Sequence, residues 1–194
     1  MEKVVCVLKS GGEYKPEHVY RLKKMVDDYI GLPFYCLSDR ALDCSYLPMA
    51  ENWPGWWSKM ELFRLRPPVL YFDLDTIIRA TPTFLDTVRG KDFVIMRDVY
   101  RGKRNHLAMQ SSMMYWSIDM TWLYDRYKEN PEIKDPGGDQ VYIERNVKAE
   151  YFQDFTDEVV SYKAEICKRG PLPTDKVVIF HGQPRPWEQN ILAY

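Results

Sequence analysis

Apolar positions in this chain fall into short runs and helical stripes that alternate along its length. Val4-Val5-Cys6-Val7-Leu8 is a continuous apolar run that closes on Lys9-Ser10-Gly11-Gly12, the pattern of a strand buried on both faces that opens into a loop at its carboxyl end. Pro16 then opens a helix on which Val19, Leu22, Val26, Tyr29 and Ile30 share one face, and Gly31 stops it. Phe34-Tyr35-Cys36-Leu37 is a second short strand, ending at Ser38-Asp39. This βαβ opening calls for a parallel sheet that binds ligands at the carboxyl ends of its strands.

The pattern continues with a buried helix from Trp57 to Leu65, stopped by Pro67-Pro68, and a strand Val69-Leu70-Tyr71-Phe72 running into Asp73-Leu74-Asp75. Thr81-Pro82 starts a short helix that ends near Gly90. Phe93 to Met96 and Ser112 to Trp116 read as strands, Ile118 to Lys128 as a helix, and Asp139 to Arg145 as the start of another. Val177-Val178-Ile179-Phe180 is the last strand, followed by His181-Gly182 and a Pro-rich tail. The fold class is therefore α/β, a mostly parallel central sheet flanked by helices, in a single compact domain over residues 1–194. The chain shows no repeat, low-complexity tract or linker.

Charge narrows the function. The chain carries 27 Lys and Arg against 28 Asp and Glu, a net charge of −1 without a long basic block, so it lacks the electrostatic footprint of a dedicated nucleic-acid binder. No stretch is long and apolar enough to span a bilayer, and Met1-Glu2-Lys3-Val4-Val5 enters a strand without a leader's apolar region. The expectation is a cytoplasmic protein. Cys6, Cys36, Cys44 and Cys167 show no CxxC spacing and read as buried free thiols. Fourteen Tyr and six Trp would serve either a core or a surface that grips sugars.

Three segments could carry chemistry. Asp73 and Asp75, two residues apart at a strand end, would converge on one point, and a hard Mg²⁺ or Mn²⁺ takes carboxylate oxygens while leaving positions for phosphate. The bland reading is an acidic turn. His181, just past the last strand, could complete such a site, with Gly182 permitting close backbone approach and Arg185 pairing with phosphate; a lone His there otherwise packs or faces solvent. Pro136-Gly137-Gly138-Asp139-Gln140 either caps a helix through Asp139 or turns Asp139 and Gln140 toward a ligand. Lys9-Ser10-Gly11-Gly12 matches neither a P-loop nor a dinucleotide turn.

In this order, Trp57-Ser58-Lys59-Met60, Val69-Leu70-Tyr71-Phe72-Asp73-Leu74-Asp75-Thr76, Gly137-Gly138-Asp139-Gln140 and His181-Gly182 with Arg185-Pro186-Trp187 resemble the motifs of the glycogenin-like glycosyltransferases. That family also holds bacterial lipopolysaccharide galactosyl- and glucosyltransferases. The resemblance spans most of the chain and implies a GT-A, Rossmann-like fold, with a nucleotide-binding part over about residues 1–100 and an acceptor-side part over about 101–194. It implies a UDP-sugar donor, a glycan or glycoconjugate acceptor, retention of configuration, and Mn²⁺ or Mg²⁺ held by Asp73, Asp75 and His181. By the same carry-over Leu8, Lys9, Tyr14 and Asp39 hold uracil and ribose, and Lys59, Leu74, Gly182 and Arg185 meet phosphate or donor sugar. Gln110 and Ser111 also face that sugar, and Asp139 and Gln140 lie at its anomeric carbon. Arg185 stands where the family has Lys, and the His-to-Pro-Trp segment is short; the chain is also shorter than most members, as in a module of a larger enzyme. Two rival classes are a non-catalytic carbohydrate-binding module built on Trp53, Trp56 and Trp57, and a phosphohydrolase using Asp73 and Asp75.

Overall fold

A computed structural model describes residues 1–188. Among the described residues ten strands form two sheets: β1 (Lys3–Leu8), β2 (Phe34–Ser38), β3 (Tyr46–Pro48), β4 (Val69–Phe72), β5 (Ile77–Ile78), β6 (Phe93–Arg97), β7 (Met109–Trp116), β8 (Glu150–Tyr151), β9 (Val159–Ser161) and β10 (Val177–Ile179). The main sheet runs β3-β2-β1-β4-β7-β6-β8, and β5-β10-β9 form the small one. In the main sheet only β7 pairs antiparallel to its neighbours, β4 and β6. The mostly parallel α/β fold is as the sequence pattern predicts.

β1 leads through α1 (Pro16–Tyr29) to β2 on one side, while β4 lies on its other side. This reversal leaves a crevice at the carboxyl ends of β1 and β4, where open α/β sheets bind ligands. Alternation along the strands supplies two cores. Val4, Cys6 and Leu8 of β1 join Leu70, Phe72 and Leu74 in the layer with α1 and the small sheet. Val5, Val69 and Tyr71 face the other way, toward Trp57, Phe63 and Trp116. That second layer holds the helix Gly55–Arg64, α3 (Thr121–Glu129) and α4 (Gly138–Asn146); the short α2 (Phe84–Val88) packs into the first core.

Several local expectations shift. The helix expected from Trp57 to Leu65 is a 3₁₀ helix, Gly55–Arg64; apolar residues at 57, 60, 62, 63 and 65 do not distinguish a period of 3.0 from 3.6. The helix beginning near Thr81-Pro82 shortens to α2, and that from Ile118 begins at Thr121 as α3, after Asp119 turns back to accept from the Thr121 amide. β10 leaves the main sheet for the small one. Strands β3, β5, β8 and β9, two or three residues each, are too short to show an alternation. All four cysteines are free, but Cys44 is half-buried and Cys167 exposed, so burial holds only for Cys6 and Cys36. Among the described residues no helix is long and apolar enough to cross a membrane.

Candidate functional site

Two cavities meet at the carboxyl end of β4. The larger, about 550 Å³, is lined by Lys9, Gly11, Tyr14, Lys59, Asp73 and Arg185 among others, and thus sits in the crevice between β1 and β4. The smaller, about 350 Å³, is lined by Gln110, Ser111, Asp139, Gln140, His181 and Gly182. Trp56, Lys59 and Asp73 border both.

Asp73 and Asp75 do not continue the strand. β4 ends at Phe72, and a turn follows in which the Thr76 amide donates to the Asp73 carbonyl at 3.0 Å. Strand alternation therefore does not aim the two carboxylates alike. Asp73, pinned by its amide to the Ser112 carbonyl of β7 at 2.8 Å, faces the cavities. Its carboxylate accepts from the Tyr71 hydroxyl and lies 2.8 Å from Lys59 Nζ. Asp75 is 2% exposed; its Oδ2 accepts from the Tyr14 hydroxyl at 2.9 Å and from Arg185 Nη1. Burial and the neighbouring Asp73 push the Asp75 pKa up to about 7, against the pull of Arg185.

Two cations balance this acidic centre. For Lys59 burial alone would lower the pKa, yet Asp139 and Asp73 beside it hold the ammonium above its ordinary range. Its Nζ also lies 3.7 Å from Asp139. Arg185 forks between Asp75 and Glu13. Asp139 sits in the first turn of α4, buried, and accepts from the Ser111 hydroxyl at 2.6 Å. It does not cap the helix: Gly137 is the N-cap residue and no side chain caps there. Burial raises the Asp139 pKa, with Lys59 and Ser111 opposing. Ser111 lies where the pairing of β6 and β7 shifts register, after Ile95, and such irregularities re-aim side chains.

The remaining expected residues divide between the two cavities and their walls. Lys9 Nζ donates to Asp39 at 2.5 Å and to Asn52 at 2.7 Å, and Ser10 bonds Asp39 through its amide and hydroxyl. Burial opposes it, but these bonds hold the Asp39 pKa down to about 2. Leu8 is buried in the α1 core, so only its backbone is near the loop. Leu74 is likewise core, with its carbonyl taking Arg21 Nη2 at 2.8 Å. Gln110 donates to the Ser112 hydroxyl. Gly182, at φ +69°, lies close to Lys163.

His181 lines the same cavity as Asp73, but its Nε2 bonds Ser161 Oγ at 2.7 Å and its ring packs edge-on to Tyr100. Burial and Lys163 lower its pKa. Among the described residues no three His, Cys, Asp or Glu side chains converge as a metal set. The Asp pair still fits a hard divalent ion: Asp75 Oδ1 is buried with no hydrogen-bond partner, a costly state for a carboxylate oxygen, and a second carboxylate faces the cavity beside it.

Sequence reasoning missed Tyr71, Glu13 and Ser161 at this site, and offered Trp56 only within the rival carbohydrate-binding cluster. Tyr71 could have been found, since it lies two residues before Asp73. Glu13 and Ser161 carry no pattern that marks them.

No family model matches the chain, and no curated protein matches it. Solved structures do. The glycosyltransferase GlyE of Streptococcus pneumoniae TIGR4 aligns over 96% of this chain at 14% identity with a TM-score of 0.68. The galactosyltransferase LgtC, solved in complex with donor and acceptor sugar analogs, aligns over 99% of this chain and 91% of its own at 11% identity and TM-score 0.66. A glycosyltransferase involved in the glycosylation of the major capsid of PBCV-1 aligns over 91% of each chain at 10% identity and TM-score 0.60. The chain spans only 56% of GlyE. The order of the strands, the crevice beside β4 and these likenesses together show that this chain has the GT-A fold of LgtC-like glycosyltransferases.

Proposed function

We propose that the chain is a metal-dependent glycosyltransferase that moves a sugar from a UDP-sugar to a glycan or glycoconjugate acceptor with retention of configuration. The observation that carries this reading is the Asp73 and Asp75 pair at the end of β4, one carboxylate open to a 550 Å³ cavity and the other holding a buried oxygen without a partner. The fold supports it, as does the LgtC structure with donor and acceptor sugar analogs. Four unpaired cysteines favour a cytoplasmic setting, for the chain by itself or as a module of a larger enzyme.

In this reading Asp73 and Asp75 would hold Mn²⁺ or Mg²⁺, and His181 would be the third ligand, in exchange for its bond to Ser161. When bound, the ion neutralises charge on the departing diphosphate, where glycosyl transfer needs it most. The other roles belong to the chain. The loop after β1, with the Leu8 backbone, Lys9, Tyr14 and Asp39, holds the base and ribose. Lys59 and Arg185 line the donor cavity with positive charge and take the phosphates, with Leu74 and Gly182 shaping the walls by their backbone. Gln110 and Ser111 face the donor sugar, and Asp139 and Gln140 stand at its reacting carbon. Lys59, 3.7 Å from Asp139, favours the ionised carboxylate there.

The test is release of UDP from UDP-glucose and UDP-galactose in Mn²⁺, with and without saccharide acceptors, and product configuration read by NMR. Metal-dependent release by the native chain, absent from Asp73→Ala, is the expected result. A native chain that releases no UDP from any donor and acceptor tried contradicts the proposal.

A further inference from the structure

Of the three clustered tryptophans, Trp53 and Trp57 are core: Trp53 packs edge-on to Tyr127, and Trp57 stacks on the same ring while donating from Nε1 to the Ile133 carbonyl. Trp56 differs. It is 57% exposed, and among the described residues its Nε1 has no hydrogen-bond partner. It borders both cavities together with Lys59 and Asp73.

Its position is also fixed. Gly55, at φ +53°, starts the 3₁₀ helix that carries it. Against the indole lies Gly138, at φ +68°, where a Cβ would come within 2.9 Å of Trp56 Nε1. The glycine at the head of α4 thus leaves room for the indole beside Asp139.

We infer that Trp56 is the stacking platform for the hexopyranose ring of the donor, which makes it a determinant of sugar selectivity. The inference rests on the donor-site reading above. With the nucleotide in the larger cavity and the bond to be broken beside Asp139 in the smaller one, the sugar between them crosses the junction that Trp56 borders. A hexopyranose offers an apolar C–H face that suits an indole, and Asp139, at the head of α4 beside it, offers an acceptor for a hydroxyl.

Calorimetric titration of native protein, Trp56→Ala and Trp56→Phe with UDP and with UDP-glucose and UDP-galactose, all in Mn²⁺, tests this. The alanine variant is expected to bind UDP within about twofold of native and the better UDP-hexose about tenfold more weakly, with phenylalanine restoring most of the loss. Equal losses for UDP and UDP-hexose in Trp56→Ala, or no loss for either hexose, overturn the inference alone. A native protein that binds none of the three ligands overturns the donor-site reading and this inference with it.

Discussion

Lys59 is held among carboxylates, 2.8 Å from Asp73 and 3.7 Å from Asp139, with its side chain mostly buried. Removing one partner of such a buried set leaves uncompensated charge, which typically costs about 3 kcal/mol or more. Lys59→Ala is therefore expected to lose stability on that scale in urea unfolding. Adding Asp73→Asn should recover part of it, because the two sites are coupled; additive losses would show that Lys59 does not balance Asp73. Asp73→Ala and Asp75→Ala are expected to keep the native circular dichroism while weakening Mn²⁺ binding more than about 100-fold, beyond the loss seen for outer-sphere partners. His181→Ala should weaken it less, and unchanged Mn²⁺ affinity in that variant would assign His181 to structure through Ser161. That Lys59, Asp73 and Asp139 lie together was legible from residue type and order in the motifs. Glu13 and Ser161 were not, since a loop acid and a strand-end serine look like any others until the chain folds.

Elements carry these residues to one place. The loop after β1 is tied to the end of β2 by Asp39, which accepts from Lys9 and Ser10. Its folded pKa, about 2, lies below the ordinary value of 3.8. The stabilisation from this carboxylate is therefore complete above about pH 4 and is lost as pH falls through 3.8 toward 2. Asp39→Asn should flatten the fall in urea midpoint between pH 5 and about pH 2.5; a fall as steep as in native protein would show that the tie contributes nothing. The strands β1, β2 and β4 and helix α1 were legible because their apolar runs and stripes are long enough to display a period. The two-residue β5 and β8 were not, nor was the transfer of β10 to the small sheet, because partner choice is settled by tertiary packing. Asp-x-Asp pointed to the place where the two cavities meet, through a wrong premise: the two residues share a turn, not a strand face.

For the whole molecule, the sheet divides two cores, and the site lies at the edge where both meet. Trp116 of β7 is fully buried against Phe63 and Phe93. Trp116→Ala should cost about 3–5 kcal/mol, the usual penalty for emptying so large a volume, and a loss under 1 kcal/mol in urea unfolding would show that the second core collapses around it. The fold class was legible from the alternation of strands and helical stripes. The path of the chain through two sheets was not, and neither was the meeting of two cavities at Trp56, which depends on the relative placement of residues 56 and 138. A ligand that bridges β1, β4 and the segment carrying Arg185 should stabilise the molecule as a unit, by about 2.7 kcal/mol at 100 times its dissociation constant.

The central claim is that the crevice between β1 and β4 holds a nucleoside diphosphate together with a divalent ion on Asp73 and Asp75. Calorimetric titration with UDP, in Mn²⁺ and then in excess chelator, tests it most directly. The account predicts saturable, one-to-one UDP binding that depends on Mn²⁺ and disappears in Asp73→Ala. No UDP binding by the native chain in Mn²⁺, or binding indifferent to both the metal and Asp73, contradicts it.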